Sequence, residues 1–220
     1  SKKTKNDGKH TWKIPSTVVT SSAYKIKIIS IKNKKIFDTS NKAFKITEAS
    51  TGKVAGCPKR TSTARYKCYK VRGSTRTGLI GSLGSKGPNG YWAYTNWNVS
   101  YYYWYGPVGG LCKVTKVKMT NTCIVQFPVW ATSKGATYSI SNWNKMVTAL
   151  KRHEDTHCGH GRWLSREFKK QALKVSTSSC GTIGAKLKSK WNPLYSKAKK
   201  KGLAFDKRTN HGVSEGVKLR

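Results

Sequence analysis

The stretch "ALKRHEDTHCGHGRW", residues 149–163, contains the pattern H-E-x-x-H at His153, Glu154 and His157. On an α-helix, residues four positions apart lie on one face with their Cβ atoms roughly 6 Å apart, so two imidazoles can converge on one ion. Imidazole nitrogen is a preferred zinc ligand, and the glutamate between the two histidines is placed to act as general base toward a zinc-activated water. The stretch therefore predicts a helix that carries a Zn²⁺ site, with Glu154 as its catalytic residue.

The residues on either side of the motif continue the helical period. The period changes at about residue 139, and apolar residues from Trp143 to Leu150 precede the motif at three- and four-residue steps, which predicts a helix with Ser141 or Asn142 as its cap. After the motif the same period resumes, and Gly159 and Gly161 are candidate positions for a break in the helix.

A catalytic zinc usually takes three protein ligands, so one more donor is needed beside the two histidines of the motif. His160 lies seven residues after His153, about 10.5 Å away along a continuous helix, which is too far for both to bind one ion. It can be a ligand only if the helix breaks at Gly159. Otherwise it supports the site from outside or faces solvent.

The C-terminal segment "AFDKRTNHGVSEG", residues 204–216, supplies the favoured third ligand, His211. The glycines of this segment predict a loop that folds over the metal-binding helix. Asp206 is either a partner that orients a ligand or an alternative ligand, and Glu215 is a further acid nearby.

Long strand patterns occupy the middle of the chain. Residues 91–106 and 111–130 are rich in aromatic and β-branched residues and are joined by a Gly-rich turn, which predicts an antiparallel hairpin. Shorter strands are expected in 23–32 and 64–71, and a last helix over 182–200. Strands first and helices last indicate an α+β fold, with an antiparallel sheet packed against C-terminal helices.

The charge of the chain is strongly unbalanced. Lysine and arginine total 44 against 8 aspartates and glutamates, which gives a formal net charge of +36. Such an excess repels itself and favours an anionic partner, for which an anionic cell-surface polymer and nucleic acid are both candidates. The sequence has no apolar run of the roughly 18–20 residues that a membrane-spanning helix needs, so no transmembrane segment is predicted.

The chain has six cysteines and no C-x-x-C motif. An even number of cysteines, in a chain that starts at Ser1 without Met, predicts a secreted or periplasmic protein with its signal peptide removed and up to three disulfides. Cys57 and Cys68 are close enough in sequence to close a short loop. A bond from Cys158 would tether the metal-binding helix, and three cysteines are candidate partners for it: Cys112, Cys123 and Cys180.

Five segments match, in order, the short motifs of one family. They are "YKVRGST" (69–75), "GPNGYWAYTNWNVSYYYWYGPVGGLCKVT" (87–115), "VQFPVW" (125–130), "LKRHEDTH" (150–157) and "FDKRTNHGVSEG" (205–216). Through these segments the chain resembles a bacterial family of secreted, predicted zinc-dependent proteases, which is catalogued mainly as a domain of unknown function. The resemblance covers residues 64–220, and it implies a zinc-dependent protease-like domain there.

The resemblance also assigns site residues. By this resemblance, the residues that bind zinc and activate its water are His153, Glu154 and His157. The family's closing Y-D-x-x-T-x-H-G element corresponds to Asp206, Thr209, His211 and Gly212. Phe205 stands where the family pattern has Tyr, so a hydroxyl that would stabilise the oxyanion is missing at that position. Tyr195 is the candidate substitute, and Thr209 is a second candidate for supporting the oxyanion.

These observations predict a secreted zinc metallopeptidase with a zincin-like fold that acts on a protein or peptide substrate. Its domain would occupy 64–220, after a basic N-terminal extension with short strands over 1–63. The alternative is a polycationic extracellular binding or structural protein, whose zinc site is structural or vestigial. The charge of +36 motivates that alternative.

Overall fold

A computed structural model of the chain describes residues 21–46, 53–131 and 136–220. The chain divides into two compact units, residues 1–51 and 52–220. The parts of the expected basic extension in 1–20 and 47–52 lie outside the described residues.

The first unit contains two small antiparallel sheets. Strand β1 (Ser21–Tyr24) pairs with β4 (Phe44–Ile46), and β2 (Lys27–Ile29) pairs with β3 (Phe37–Thr39). The single strand expected within 23–32 is therefore two short strands. They separate at Ile26, whose backbone N–H donates to the Ser40 side-chain oxygen at 3.1 Å.

The second unit begins before the boundary expected at residue 63. Cys57 is bonded to Cys68, and the Ala55 backbone N–H donates to the Asn144 side-chain oxygen at 2.8 Å. Residues 53–63 are therefore attached to the second unit rather than to the N-terminal extension.

The main sheet is built on one long hairpin. Strands β6 (Tyr94–Val108) and β7 (Leu111–Trp130) pair antiparallel along their length, which confirms the predicted hairpin. Strand β5 (Arg65–Val71) lies on the other side of β7 and pairs with it in parallel, and the two-residue β8 (Ser176–Thr177) pairs with the start of β7.

The expectation of a purely antiparallel sheet is wrong because of the β5–β7 pair. Helix α1 (Arg76–Lys86) lies between β5 and β6 in the chain. After this connection, β6 forms the edge of the sheet opposite β5 and runs antiparallel to it. Strand β7 then turns back into the space between them, and its direction is that of β5.

Helix α2 (Ile140–Ala172) packs against both strands of the hairpin. The helix is capped by Ser139, whose side chain accepts a hydrogen bond from the Asn142 N–H, and not by Ser141 or Asn142 as predicted. Trp143 and Phe168, on the face of the helix that meets the core, are fully buried. The helix runs without interruption through 159–161, so neither candidate glycine breaks it. A Cβ at Gly161 would lie 3.3 Å from atoms of Trp97 and Asn121, which shows that this glycine permits close packing on the sheet.

Helix α3 (Ile183–Thr209) contacts α2 and continues beyond the predicted end at residue 200. Phe205 and Thr209, four residues apart, are both buried, so the last turns of the helix present an apolar face to the protein. The helix ends where Asn210, His211 and Gly212 have φ of 47°, 50° and 84°. The segment expected to be a loop is thus helical for its first half.

Three disulfides join the elements of the second unit: Cys57–Cys68, Cys112–Cys180 and Cys123–Cys158. The short loop closed by the first bond is confirmed, and Cys123 proves to be the partner of Cys158. That bond fixes α2 to β7 one residue after the H-E-x-x-H motif. Three disulfides fit an extracellular or periplasmic protein. Among the residues the structure describes, no helix has the length and apolarity to cross a membrane.

Candidate metal centre

Two histidines of α2 face the C-terminal end of α3. His153 is 4% exposed and His157 is half-buried, and their Nε2 atoms lie 3.3 Å apart. Asp206, in the last turn but one of α3, places its Oδ1 3.1 Å from His153 Nε2 and 2.9 Å from His157 Nε2. One donor atom from each of the three side chains therefore converges on a single point.

A second carboxylate fixes the orientation of His153. Glu215 Oε2 lies 2.8 Å from His153 Nδ1, on the opposite side of the ring from Asp206. Because a carboxylate only accepts, this contact selects the tautomer of the neutral ring that carries its proton on Nδ1 and keeps the lone pair of Nε2 for a metal ion. Burial lowers the pKa of His157, which favours its neutral form as well. The lone pair of His153 and the carboxylate oxygen of Asp206 then face each other at hydrogen-bond distance, an arrangement that a cation between them would stabilise.

The donor set fits a zinc ion in type and in spacing. Two imidazoles and one carboxylate form a known class of catalytic zinc site, with metal–ligand bonds of about 2.0–2.1 Å. In tetrahedral geometry such bonds place neighbouring ligand atoms about 3.3 Å apart. The three separations found here range from 2.9 to 3.3 Å. Among the residues that the structure describes, these three side chains form the one group of three or more His, Cys, Asp or Glu residues whose ligand atoms are close enough together to hold a metal ion.

Glu154 lies beside this group and is 5% exposed. Its Oε2 accepts a hydrogen bond of 2.6 Å from the Thr95 hydroxyl on β6. Burial raises the pKa of the Glu154 carboxyl to about 7, although the hydrogen bond from Thr95 acts in the opposite direction. A carboxyl with this pKa can both take up and release a proton near neutral pH.

The sequence profile of the family described as "Bacterial protein of unknown function (DUF922)" matches residues 66–212. The chain belongs to this family. The matched range contains β5, the hairpin, α2 and α3, and hence all three converging donors. No curated protein and no solved structure gives a significant match to the chain.

Two histidines of the DUF922 region that the sequence offers as candidate ligands lie apart from the donor group. His211, the favoured third ligand, is exposed and packs against Tyr91 with ring centroids 5.5 Å apart. It lies beyond the end of α3, whereas Asp206 is still within the helix and faces α2. His160 stays on the continuous α2 helix, with its ring 5.9 Å from that of His157.

The remaining predicted site residues have structural contacts. Phe205, in place of the family tyrosine, stacks on His153 at 4.7 Å and forms a wall of the centre. Tyr195 packs against Trp97, and it lies eleven residues before Asp206, roughly 16 Å along the helix axis. Thr209 donates to the Phe205 carbonyl at 2.9 Å and accepts from the Gly212 N–H at 3.2 Å, which fixes the turn that follows α3.

Two residues of the site have no role assigned from the sequence. Thr95 contacts Glu154 across the interface between β6 and α2, and no local sequence pattern predicts a contact between residues so far apart in the chain. Glu215 lies just beyond the matched DUF922 range. Two features of the sequence could have pointed to Glu215: the chain has only 8 acidic residues, and Glu215 lies near Asp206 in the C-terminal segment.

Proposed function

We propose that this protein is an exported zinc metallopeptidase. The observation that carries the proposal is the convergence of donor atoms from His153, His157 and Asp206 beside the buried carboxyl of Glu154. A metal-binding group alone would suit a structural site, but a buried carboxyl with a pKa near neutrality beside it suits proton transfer.

His153, His157 and Asp206 would hold the ion, with Glu215 keeping His153 in the correct tautomer. When bound, Zn²⁺ supplies a Lewis acid that polarises a peptide carbonyl and lowers the pKa of water. Glu154 would accept the proton of the attacking water and then donate it to the departing amine. The hydroxyl of Thr95 holds one oxygen of Glu154, which leaves the other oxygen to handle the proton.

Glu154→Gln tests this assignment, because glutamine keeps the shape of the side chain but does not accept the proton. We expect peptide hydrolysis to fall by at least about 100-fold, the usual range for loss of a general base, while the bound-metal content stays that of the wild type. The measurement is cleavage of a panel of unfolded proteins and peptides, with metal analysis of the same samples. Wild-type rates in Glu154→Gln would contradict the mechanism.

A second candidate function is anchoring to an anionic polymer, with the metal centre as a structural staple. The charge of +36 favours it. The two candidates differ in the wild-type protein, since a binding protein would cleave no peptide at any metal loading. They are also compatible, because the charge would hold an enzyme at an anionic cell envelope.

A further inference from the structure

The candidate metal centre collects half of the acidic residues of this very basic chain. Of its 8 aspartates and glutamates, four lie at or beside the centre: Glu154, Asp155, Asp206 and Glu215. Each already has partners in the protein. Asp155, for example, accepts from the Tyr66 hydroxyl at 2.5 Å and pairs with Lys151 at 2.6 Å. These contacts fix the four carboxylates within and beside the centre.

Two exposed cations on α3 flank the same centre. The Arg208 guanidinium lies 5.5 Å from the centre of the Phe205 ring, which itself stacks on His153. Lys201 lies 5.0 Å from the centre of the Trp163 ring. The residue after it, Gly202, is close enough to the site that a Cβ there would lie 3.6 Å from His157 Nδ1.

Lys201 and Arg208 share one face of α3. They are seven residues apart, which corresponds to about two turns and roughly 10 Å along the helix axis. Within the described part of the chain, neither takes part in an ion pair. In an extended peptide, residues two positions apart point to the same side and lie about 7 Å apart. Two acidic side chains at that spacing can face both cations, because lysine and arginine have long side chains that cover the remaining separation.

We propose that the site selects acidic polypeptide segments, with carboxylates near the scissile bond paired to Lys201 and Arg208. This inference rests on the proposed peptidase function and names its class of substrate. The favourable contacts are at the surface, so they discriminate between peptides through charge and weaken as salt is added.

Three fluorogenic peptides test the inference. They share one sequence except at two positions separated by one residue, which hold Glu, Gln or Lys. For the wild-type protein, we expect kcat/KM for the Glu peptide to be about tenfold above that for the Gln peptide, with the Lys peptide lowest. The preference should shrink as the salt concentration rises. Binding of the same peptides to zinc-loaded Glu154→Gln, measured by fluorescence anisotropy, should follow the same order without turnover.

A pair of double variants separates a local effect from the general charge of the chain. Lys201→Glu with Arg208→Glu should abolish or reverse the preference for the Glu peptide. Lys186→Glu with Lys190→Glu changes the net charge equally, at exposed positions in the first half of the same helix, and should leave the preference as in the wild type.

Equal rates for the three peptides would overturn the inference while leaving the peptidase proposal intact. Loss of the preference to the same extent in both double variants would also overturn it. If the wild-type protein cleaved none of the peptides or proteins offered, the peptidase proposal itself would fail, and the inference with it.

Discussion

At the scale of single residues, the centre depends on side chains that hold other side chains in place. Glu215 does not belong to the converging donors, but it bonds to His153 Nδ1 and so directs the lone pair of Nε2 toward Asp206. Partners of this kind commonly change metal affinity by 10–100-fold when they are removed.

Glu215→Gln should therefore weaken zinc binding by about 10–100-fold, because an amide can donate to His153 and no longer enforces the tautomer. The measurement is competition against a zinc chelator of known affinity. Glu167→Gln is the matched control, since Glu167 accepts a hydrogen bond from Gln171 and lies ten residues after His157, roughly 15 Å along α2. Equal affinity in wild type and Glu215→Gln would show that the carboxylate has no such role.

The residues of the centre differ in how far the sequence can identify them. His153, Glu154 and His157 follow from a four-residue spacing within one helix. Asp206 can be named only as one of several alternatives, because its position depends on where α3 ends. Thr95 contacts Glu154 across 59 positions of sequence, and such a contact has no local pattern.

At the scale of elements, the geometry of the centre depends on how closely α2 approaches the hairpin. Gly161 makes the close approach possible, since a Cβ there would lie 3.3 Å from Trp97 and from Asn121. Gly159, one half-turn earlier, would place a Cβ 3.6 Å from the end of the flexible Arg162 side chain.

Gly161→Val should destabilise the protein by about 1–3 kcal/mol, the usual cost of overpacking a tight interface. Gly159→Val is the matched control, and it should be neutral or slightly stabilising because valine has a better helix propensity than glycine. Urea denaturation of both variants measures the free energy of unfolding. Equal stability in the two variants would show that the helix has room to move away from the sheet.

The ends and partners of the elements are less predictable than their existence. The hairpin and α2 follow from their side-chain periods. The predicted end of α3 is wrong because "KKKGLAFDKRT" contains a glycine and several lysines, which favour a loop locally. Burial of Phe205 and Thr209 outweighs that local preference. The parallel pairing of β5 with β7 depends on the path of the chain around the sheet, and no periodicity within β5 encodes it.

At the scale of the whole molecule, the dominant property is the charge of +36. It would favour attachment to an anionic surface. Composition alone therefore suggests a class of partner, whereas the centre has to be found from spacing and from the fold.

Binding of the protein to a phosphate-bearing matrix should weaken steeply as salt rises from about 0.05 M to about 0.5 M, because counterion release contributes most of the binding free energy. Turnover of a small neutral peptide should change much less over the same range, since it involves few charge pairs. Retention on the matrix and peptide cleavage are measured on the same preparation. Binding that does not depend on salt would show that the charge is not what attaches the protein.

The measurement that tests the account most directly is the zinc content of the intact protein and of two single variants. We expect about one tightly bound zinc per chain in the wild type and in His211→Ala, and loss of that zinc in Asp206→Ala, because Asp206 is the third ligand that we propose. Other divalent metals, iron included, are assayed in the same samples, since two histidines and a carboxylate also suit Fe(II). Zinc retained in Asp206→Ala but lost in His211→Ala, or no zinc bound by the wild type, would contradict the central claim.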